Sequence, residues 1–132
     1  MIILAIAGRV LNLDIVDYVP TYEAWDSEAT GRTRAVGAPM LRFPEGVFVN
    51  FAIEIHKPRS DDSDFDYLMD KFFEMNSPGH IGMLPVTHRD MQNRAWSQLM
   101  YYVIDGASSG RITAEYVQND NVKVRFIAER AR

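Results

Sequence analysis

The sequence predicts a mainly β fold of the α+β class: an antiparallel β-sandwich or partly open barrel with one amphipathic helix and an extended loop or arm. Three patterns support this prediction. The segment "VFVNFAIEIH" alternates apolar and polar residues, the period becomes helical between residues 65 and 73, and the last third returns to strand-like sequence. With 132 residues, the chain is expected to form a single β-rich domain over residues 1–132.

The first strand is expected within residues 2–7 and a second within residues 10–18, with Gly8 and Arg9 forming a bend or bulge between them. "MIILAIAGRV" lacks a positively charged start and is far shorter than the roughly 20 apolar residues of a membrane span. We therefore interpret it as a strand and expect no membrane insertion. Residues 21–44 show no sustained period and are predicted to form a long irregular loop or arm.

The clearest strand and the only marked helix follow one another along the chain. The predicted buried face of the strand consists of Val47, Val49, Phe51, Ile53 and Ile55. Apolar residues then recur at helical spacing, and they are Phe65, Leu68, Met69, Phe72 and Phe73. Residues 60–64 offer several N-caps, and "SPG" ends the helix.

The last third is predicted to consist of strands joined by turns. "HIGMLPVTH" is short and interrupted by Pro85, whereas "RAWSQLMYYVID" is rich in aromatic and branched residues. "GRITAEYVQ" and "VKVRFIAER" flank the turn sequence "NDN", which predicts a β-hairpin between them.

Composition excludes several classes of function. A formal net charge of -4 argues against a dedicated nucleic-acid binder, so no sequence-specific nucleic-acid partner is expected. The chain has no cysteine, which excludes disulfides and thiolate metal sites. A hydrophobic content of 47% is sufficient for a packed core.

The motifs do not indicate a cofactor or metal. "SEATGRTRAVGAPM" contains Gly31 and Gly37 but neither a dinucleotide fingerprint nor a P-loop. The acidic run of Asp61, Asp62, Asp64 and Asp66 leads directly into the helix, which favours helix capping over calcium binding. We predict no cofactor.

The histidines do not form a recognisable zinc motif. His56, His80 and His88 have no metal-ligand spacing, and we interpret them as isolated surface or interface residues, the last two in turns. We predict no catalytic residue, no metal ligand and no enzymatic activity. An enzyme whose site is assembled only in three dimensions remains an alternative.

A further alternative is a carbohydrate- or ligand-binding β-sandwich module. Its binding platform would be drawn from the aromatic residues Trp25, Trp96, Tyr101, Tyr102 and Tyr116. Core or interface positions are the simpler interpretation of these residues.

The order of the predicted elements resembles that of small tail and baseplate proteins of tailed bacteriophages and related contractile particles. A tryptophan is followed by an acidic, glycine-containing turn, by "GRTRAVGAPM", by a strong strand, by a helix and finally by hairpins, over roughly residues 20–130. The resemblance implies a structural virion protein, assembled in the host cytoplasm into a ring around a central channel. Its partners would be further copies of itself and neighbouring tail or baseplate proteins.

The resemblance also suggests a role for the predicted arm. Ring-forming tail proteins extend arms to neighbouring subunits, and an arm of this kind would be satisfied by β-augmentation and apolar contacts. The interface residues that we predict are Trp25, Arg32, Arg34 and Met40. The two arginines are expected to meet carboxylates of the next copy, such as Asp14, Asp17 or Glu54.

Overall fold

A computed structural model describes residues 4–26, 31–32, 40–42, 44–105, 111–112 and 115–131. These residues contain one helix, α1 (Ser63–Met75). The strands are β1 (Ala5–Ile6), β2 (Arg9–Val10), β3 (Ile15–Asp26), β4 (Gly31–Arg32), β5 (Met40–Leu41), β6 (Pro44–Ile55), β7 (Leu84–Arg89), β8 (Ala95–Asp105), β9 (Arg111–Ile112), β10 (Val117–Gln118) and β11 (Val122–Ala128). The predicted fold class, mainly antiparallel β with one helix, is confirmed.

The main sheet has seven strands in the order β2-β1-β7-β8-β11-β6-β3. Every pairing in it is antiparallel, and the two strands at its edges, β2 and β3, do not pair with each other. The sheet is therefore open. Two short ladders, β4 with β5 and β9 with β10, stand apart from it.

One face of the main sheet forms the hydrophobic core. Alternate residues of the central strands point to it, and the most deeply buried of them are Ile6, Val86, Met100, Val124 and Phe126. We call this face the inner face and the opposite one the outer face. The ring of Phe126 is stacked on that of Phe51, with centroids 4.4 Å apart.

Helix α1 covers the inner face. Asp62 caps its N-terminus by accepting a hydrogen bond from the Asp64 backbone N–H, which confirms the predicted capping role of the acidic run. Leu68 is fully buried, and its carbonyl accepts a hydrogen bond from the Tyr102 hydroxyl. The predicted apolar stripe is wrong at one position, because Phe73 is 66% exposed.

The main sheet curls so that its β3 edge approaches β7 across the inner face. The Tyr18 hydroxyl donates to the Arg89 carbonyl, and the Tyr22 hydroxyl accepts from the Met91 backbone N–H. These side-chain contacts connect β3 to the end of β7 without main-chain pairing between the two strands.

The predicted irregular arm begins later than expected, because residues 21–26 belong to β3 and pair with β6. Pro20 was expected to weaken this strand. A proline is tolerated in an edge strand when its missing N–H faces away from the neighbour, and β3 is such a strand. Within the arm, residues 31–32 and 40–41 form a further short ladder.

The predicted hairpin around "NDN" is also wrong. β11 lies between β6 and β8, so both of its edges are already paired, and β10 pairs with β9 instead. The turn binds another loop: the Asn119 side chain donates to the Pro58 carbonyl, and the Asn121 side chain accepts from the Lys57 N–H.

The N-terminal strands are shorter than predicted. Residues 11–14 lie outside the strands, yet Leu11 is buried and its N–H donates to the Leu4 carbonyl over 2.9 Å. Within the described part of the chain, no helix combines the length and the apolar character that crossing a membrane requires.

Candidate assembly surface

The main sheet splits along β6. Residues 51–55 of this strand lie between β3 and β11, whereas its residues 44–50 pair with β3 alone. We call the two-stranded part, formed by residues 21–26 of β3 and 44–50 of β6, the ribbon. At ~3.3 Å per residue, the ribbon is roughly 20 Å long.

Two amide side chains bridge the split. The Gln98 amide nitrogen on β8 donates to the Val49 carbonyl over 3.0 Å, and the Asn50 side-chain oxygen accepts from the Ala128 N–H over 2.8 Å. These are main-chain groups that a continued β6–β11 ladder would have paired, and burial without a partner would be costly. The side chains thus stabilise the base of the ribbon.

A buried histidine supports this base from the inner face. His88 is 1% exposed, and its ring is stacked on Phe51 with centroids 4.5 Å apart. Its Nε2 lies 3.1 Å from the Gln98 amide nitrogen. Because that nitrogen is a donor, Nε2 is the acceptor, and the hydrogen-bond network assigns the ring proton to Nδ1, which lies 3.4 Å from the Arg89 carbonyl.

The structure therefore contradicts the prediction that His88 lies in a turn at the surface. Leu84, Val86 and His88 alternate on β7 and point to the inner face. The sequence signal was the alternation of "LPVTHR", and Pro85 obscured it although the proline itself is exposed.

Tyr18 closes the same region. Burial, with the nearby Asp90 carboxylate as the second cause, raises the pKa of the Tyr18 phenol to about 12. The phenol is consequently neutral at physiological pH and acts as a hydrogen-bond donor. Asp90 is itself buried and accepts hydrogen bonds from the Gln92 and Arg94 N–H groups in the β7–β8 turn.

Strand β3 has two exposed apolar side chains on the outer face, one within the ribbon and one just before it. Trp25 is 54% exposed, its ring packs edge-on against Phe48 with centroids 5.6 Å apart, and Val19 is 49% exposed. The Trp25 indole nitrogen lies 3.5 Å from a Glu23 carboxylate oxygen. Val19, Glu23 and Trp25 lie on one face because they are separated by even numbers of residues along β3.

The main-chain groups at the free edge of β3 follow from Pro20. Since the missing N–H of a proline faces away from the neighbouring strand, the other even-numbered residues, such as Tyr22 and Ala24, also direct their N–H and C=O groups outward. The hydrogen bond from the His56 N–H to the Asp14 carbonyl gives an independent check. If hydrogen-bonded and non-hydrogen-bonded pairs alternate from there, with the bulge before Asp17 taken into account, the even-numbered residues from Tyr18 onward again face outward. Among the described strands, β6 alone pairs with β3.

A groove of about 330 Å³ opens on the outer face where β6 and β11 separate. Polar side chains from three strands form part of its walls: Thr21 and Glu23 from β3, Asn50 from β6 and Arg125 from β11. Arg125 is held there by an ion pair with Asp105.

The predicted interface residues have different outcomes. Trp25 lies in the ribbon and is exposed, and its role at an interface stays a prediction. Arg32 and Met40 oppose each other in the β4–β5 ladder, but their side chains, and Arg34 entirely, lie outside the described residues.

The aromatic residues proposed as a ligand platform do not share one surface. Tyr102 is buried under the helix, whereas Trp25 and Tyr101 lie on the outer face. Trp96 is five residues before Tyr101 in β8, so the two side chains point to opposite faces of that strand. The guanidinium of Arg59 stacks over the Tyr116 ring at 3.6 Å.

The remaining histidines are apart from this surface. His56 is exposed after β6, and the His80 ring accepts a hydrogen bond from the Gly82 N–H within its own turn. Within the described ranges, no three histidine, aspartate or glutamate residues are grouped as a metal site would require.

Comparison with known proteins provides no assignment. No protein-family model matches the chain, and no curated protein is significantly similar to it in sequence.

Proposed function

We propose that the protein is a structural subunit that assembles with further copies of itself through the free edge of β3. The assembly that the sequence resemblance suggests is a ring in a phage tail or baseplate. The observation that carries the proposal is the edge itself, a strand of twelve residues with one paired side among the described strands and with exposed apolar residues along it.

Such an edge is a template for another strand. Monomeric proteins usually protect long edge strands with charged side chains, lysine above all, or with bulges or prolines. β3 contains no lysine or arginine, although Glu23 and Asp26 are acidic. Its first bulge and Pro20 lie before residue 21, and the second register shift lies between Trp25 and Asp26. The main chain of residues 21–25 therefore contains neither a bulge nor a proline.

The ribbon supplies a second argument. A two-stranded ribbon is only marginally stable in water by itself. Adding a strand to β3 would convert the ribbon into a wider sheet, cover part of Trp25 and Val19, and satisfy the outward main-chain groups. Association and ordering of the ribbon would therefore favour each other.

A proline at Ala24 tests this proposal. The Ala24 N–H faces outward, so Ala24→Pro removes a donor from the edge without removing a hydrogen bond to β6. We expect normal circular dichroism and loss of assembly by analytical ultracentrifugation and negative-stain microscopy. Ala24→Ser, which keeps the N–H, is the matched control and should assemble.

A monomeric wild-type protein at all accessible concentrations would refute the proposal. So would assembly of Ala24→Pro at wild-type strength.

The groove at the split favours a second candidate function, binding of a small polar ligand such as a sugar. Saturation-transfer NMR with a set of monosaccharides would test it. We expect any specific signal to disappear in Arg125→Ala, whereas Lys123→Ala, an exposed residue of the same strand outside the groove wall, should retain it.

A further inference from the structure

We infer that β3 pairs antiparallel with β3 of a second copy across a two-fold axis at Tyr22. This inference rests on the proposed function and specifies its contact: which edge is the partner and in which register the two edges meet.

The partner edge follows from the strand lengths. The other edge of the main sheet is β2, which has two residues and cannot match a strand of twelve. A second β3 is the described edge of equal length. Pairing of identical edges is a two-fold contact, because every residue that one copy offers is also offered by the other.

The register follows from the pattern on β3. The outward main-chain N–H and C=O groups belong to the even-numbered residues of β3, and in the pair they must face the even-numbered residues of the other copy. The two-fold axis therefore passes through a residue and not between two residues. An axis at Tyr22 places Val19 of each copy opposite Trp25 of the other. Between residues 19 and 25, these are the two exposed apolar residues on the outer face, at 49% and 54% exposure. An aromatic residue opposite a branched one is a favourable cross-strand pair.

The same register suits the polar residues. Glu23 of one copy faces Thr21 of the other, so the threonine hydroxyl can donate to the carboxylate. Pro20 faces Ala24, and the Pro20 carbonyl can accept from the Ala24 N–H, so this pair keeps one of its two hydrogen bonds.

The neighbouring registers are worse. An axis at Glu23 places the two Glu23 carboxylates directly opposite each other, and like charges at that position are destabilising. An axis at Thr21 places Val19 opposite Glu23 and Trp25 opposite Asp17, which separates the apolar pair.

Two consequences follow from the two-fold contact. It closes on itself and produces pairs, so a ring built with it requires one further, different contact and contains an even number of subunits.

The charges of β3 are all negative, so the two strands repel at long range, and added salt should tighten the association by screening.

Cysteine cross-linking tests the register, because the natural chain has no cysteine. In the inferred register, Thr21 and Glu23 of different copies form a non-hydrogen-bonded pair with Cα atoms about 4.5 Å apart, within the range for a disulfide. Identical residues are about 8 Å apart along the diagonal, too far to be bridged.

The experiment compares Thr21→Cys alone, Glu23→Cys alone and an equimolar mixture under mild oxidation, read on a non-reducing gel. Both residues are exposed, and circular dichroism verifies that each variant folds. We expect a disulfide-linked dimer in the mixture and only background from either variant alone.

The outcomes separate this inference from the proposed function. A dimer from Glu23→Cys or Thr21→Cys alone would place the axis elsewhere and overturn the register. Absence of cross-links in protein that sedimentation shows to be assembled would overturn the two-fold pairing at Tyr22 and leave self-assembly intact. A protein that remains monomeric would overturn both.

Discussion

Strand β6 belongs to two regions that differ in what supports them. Its residues 51–55 lie in the body of the sheet, flanked by β3 and β11, whereas residues 44–50 form the ribbon with β3 alone. Apolar and polar residues alternate through both regions. In the body the apolar ones, such as Phe51 and Ile53, are 2% exposed. In the ribbon, Val49 next to the body is still buried, whereas Val47 beyond it is only half-buried.

The difference shows that alternation identifies a strand but not the number of its neighbours. The body obtains its stability from burial within the chain itself. The ribbon offers a comparable apolar pattern with less to cover it, which is the arrangement expected of a surface that is completed by another molecule.

The largest expected contrast is between Phe126→Ala in the body and Val47→Ala in the ribbon. Phe126 is fully buried between the rings of Phe51 and Tyr102, and its truncation leaves a cavity. We expect Phe126→Ala to lower the free energy of unfolding by about 3–5 kcal/mol in urea titrations. Val47→Ala should cost less than about 1 kcal/mol. Equal losses would show that the ribbon is as tightly packed as the body.

The second contrast lies on the helix that covers the body. Phe72 packs against Tyr102 with ring centroids 5.8 Å apart, whereas Phe73 is exposed. We expect Phe72→Asp to cost about 2–3 kcal/mol because a charge is placed in an apolar contact. Phe73→Asp, which adds the same charge, should be within about 0.5 kcal/mol of wild type. Thermal melts of the two variants decide whether the 65–73 stripe belongs to the core.

The third prediction concerns the boundary between the two regions. Gln98→Leu leaves the Val49 carbonyl without its donor, and we expect a loss of about 1–2 kcal/mol. Ser97→Ala, at a neighbouring exposed position, removes only a surface hydrogen bond to the Thr87 hydroxyl, so it is the control and should be nearly neutral. If both variants unfold at the same urea concentration as wild type, the amide does not support the split.

The smallest predicted effect is a dependence on alkaline pH. Tyr18 has a folded-state pKa of about 12 against an ordinary value near 10, so its neutral form is favoured by folding. The stability that it contributes is fully present below pH 10 and is lost as the pH rises through 12. In Tyr18→Phe, the free energy of unfolding should fall less steeply than in wild type across this pH range. Some decrease should remain, because burial also raises the pKa of Tyr102. Superimposable pH profiles for variant and wild type would contradict this assignment.

The sequence predicted the fold class because alternation and helical spacing are local properties. The buried face of β6 and the capped helix were found in this way. The partners of β11 were not, because neighbours in a sheet are chosen by long-range packing, and the turn "NDN" is equally compatible with a hairpin and with binding to a distant loop.

The candidate surface was only partly predictable for a related reason. Trp25 is predicted from the sequence to be an interface residue and is exposed in the structure. The predicted end of β3 near Pro20 is wrong, because an edge strand tolerates a proline. The split and the bridging roles of Gln98 and Asn50 have no local signal, since each joins strands that are distant in the chain. The predicted surface position of His88 is wrong, because nothing local in the sequence distinguishes a buried, hydrogen-bonded histidine from an exposed one.

From the split in β6 we also expect the protein to open as two cooperative units. Amide protons of the body are protected from exchange with solvent by the free energy of opening the whole domain, whereas the ribbon can open by separating β3 from β6 alone. The contacts of Gln98 with Val49 and of Asn50 with Ala128 are then the border at which a local opening stops. In the proposed assembly, the segment that would meet a neighbouring copy could then change shape while the core remains folded.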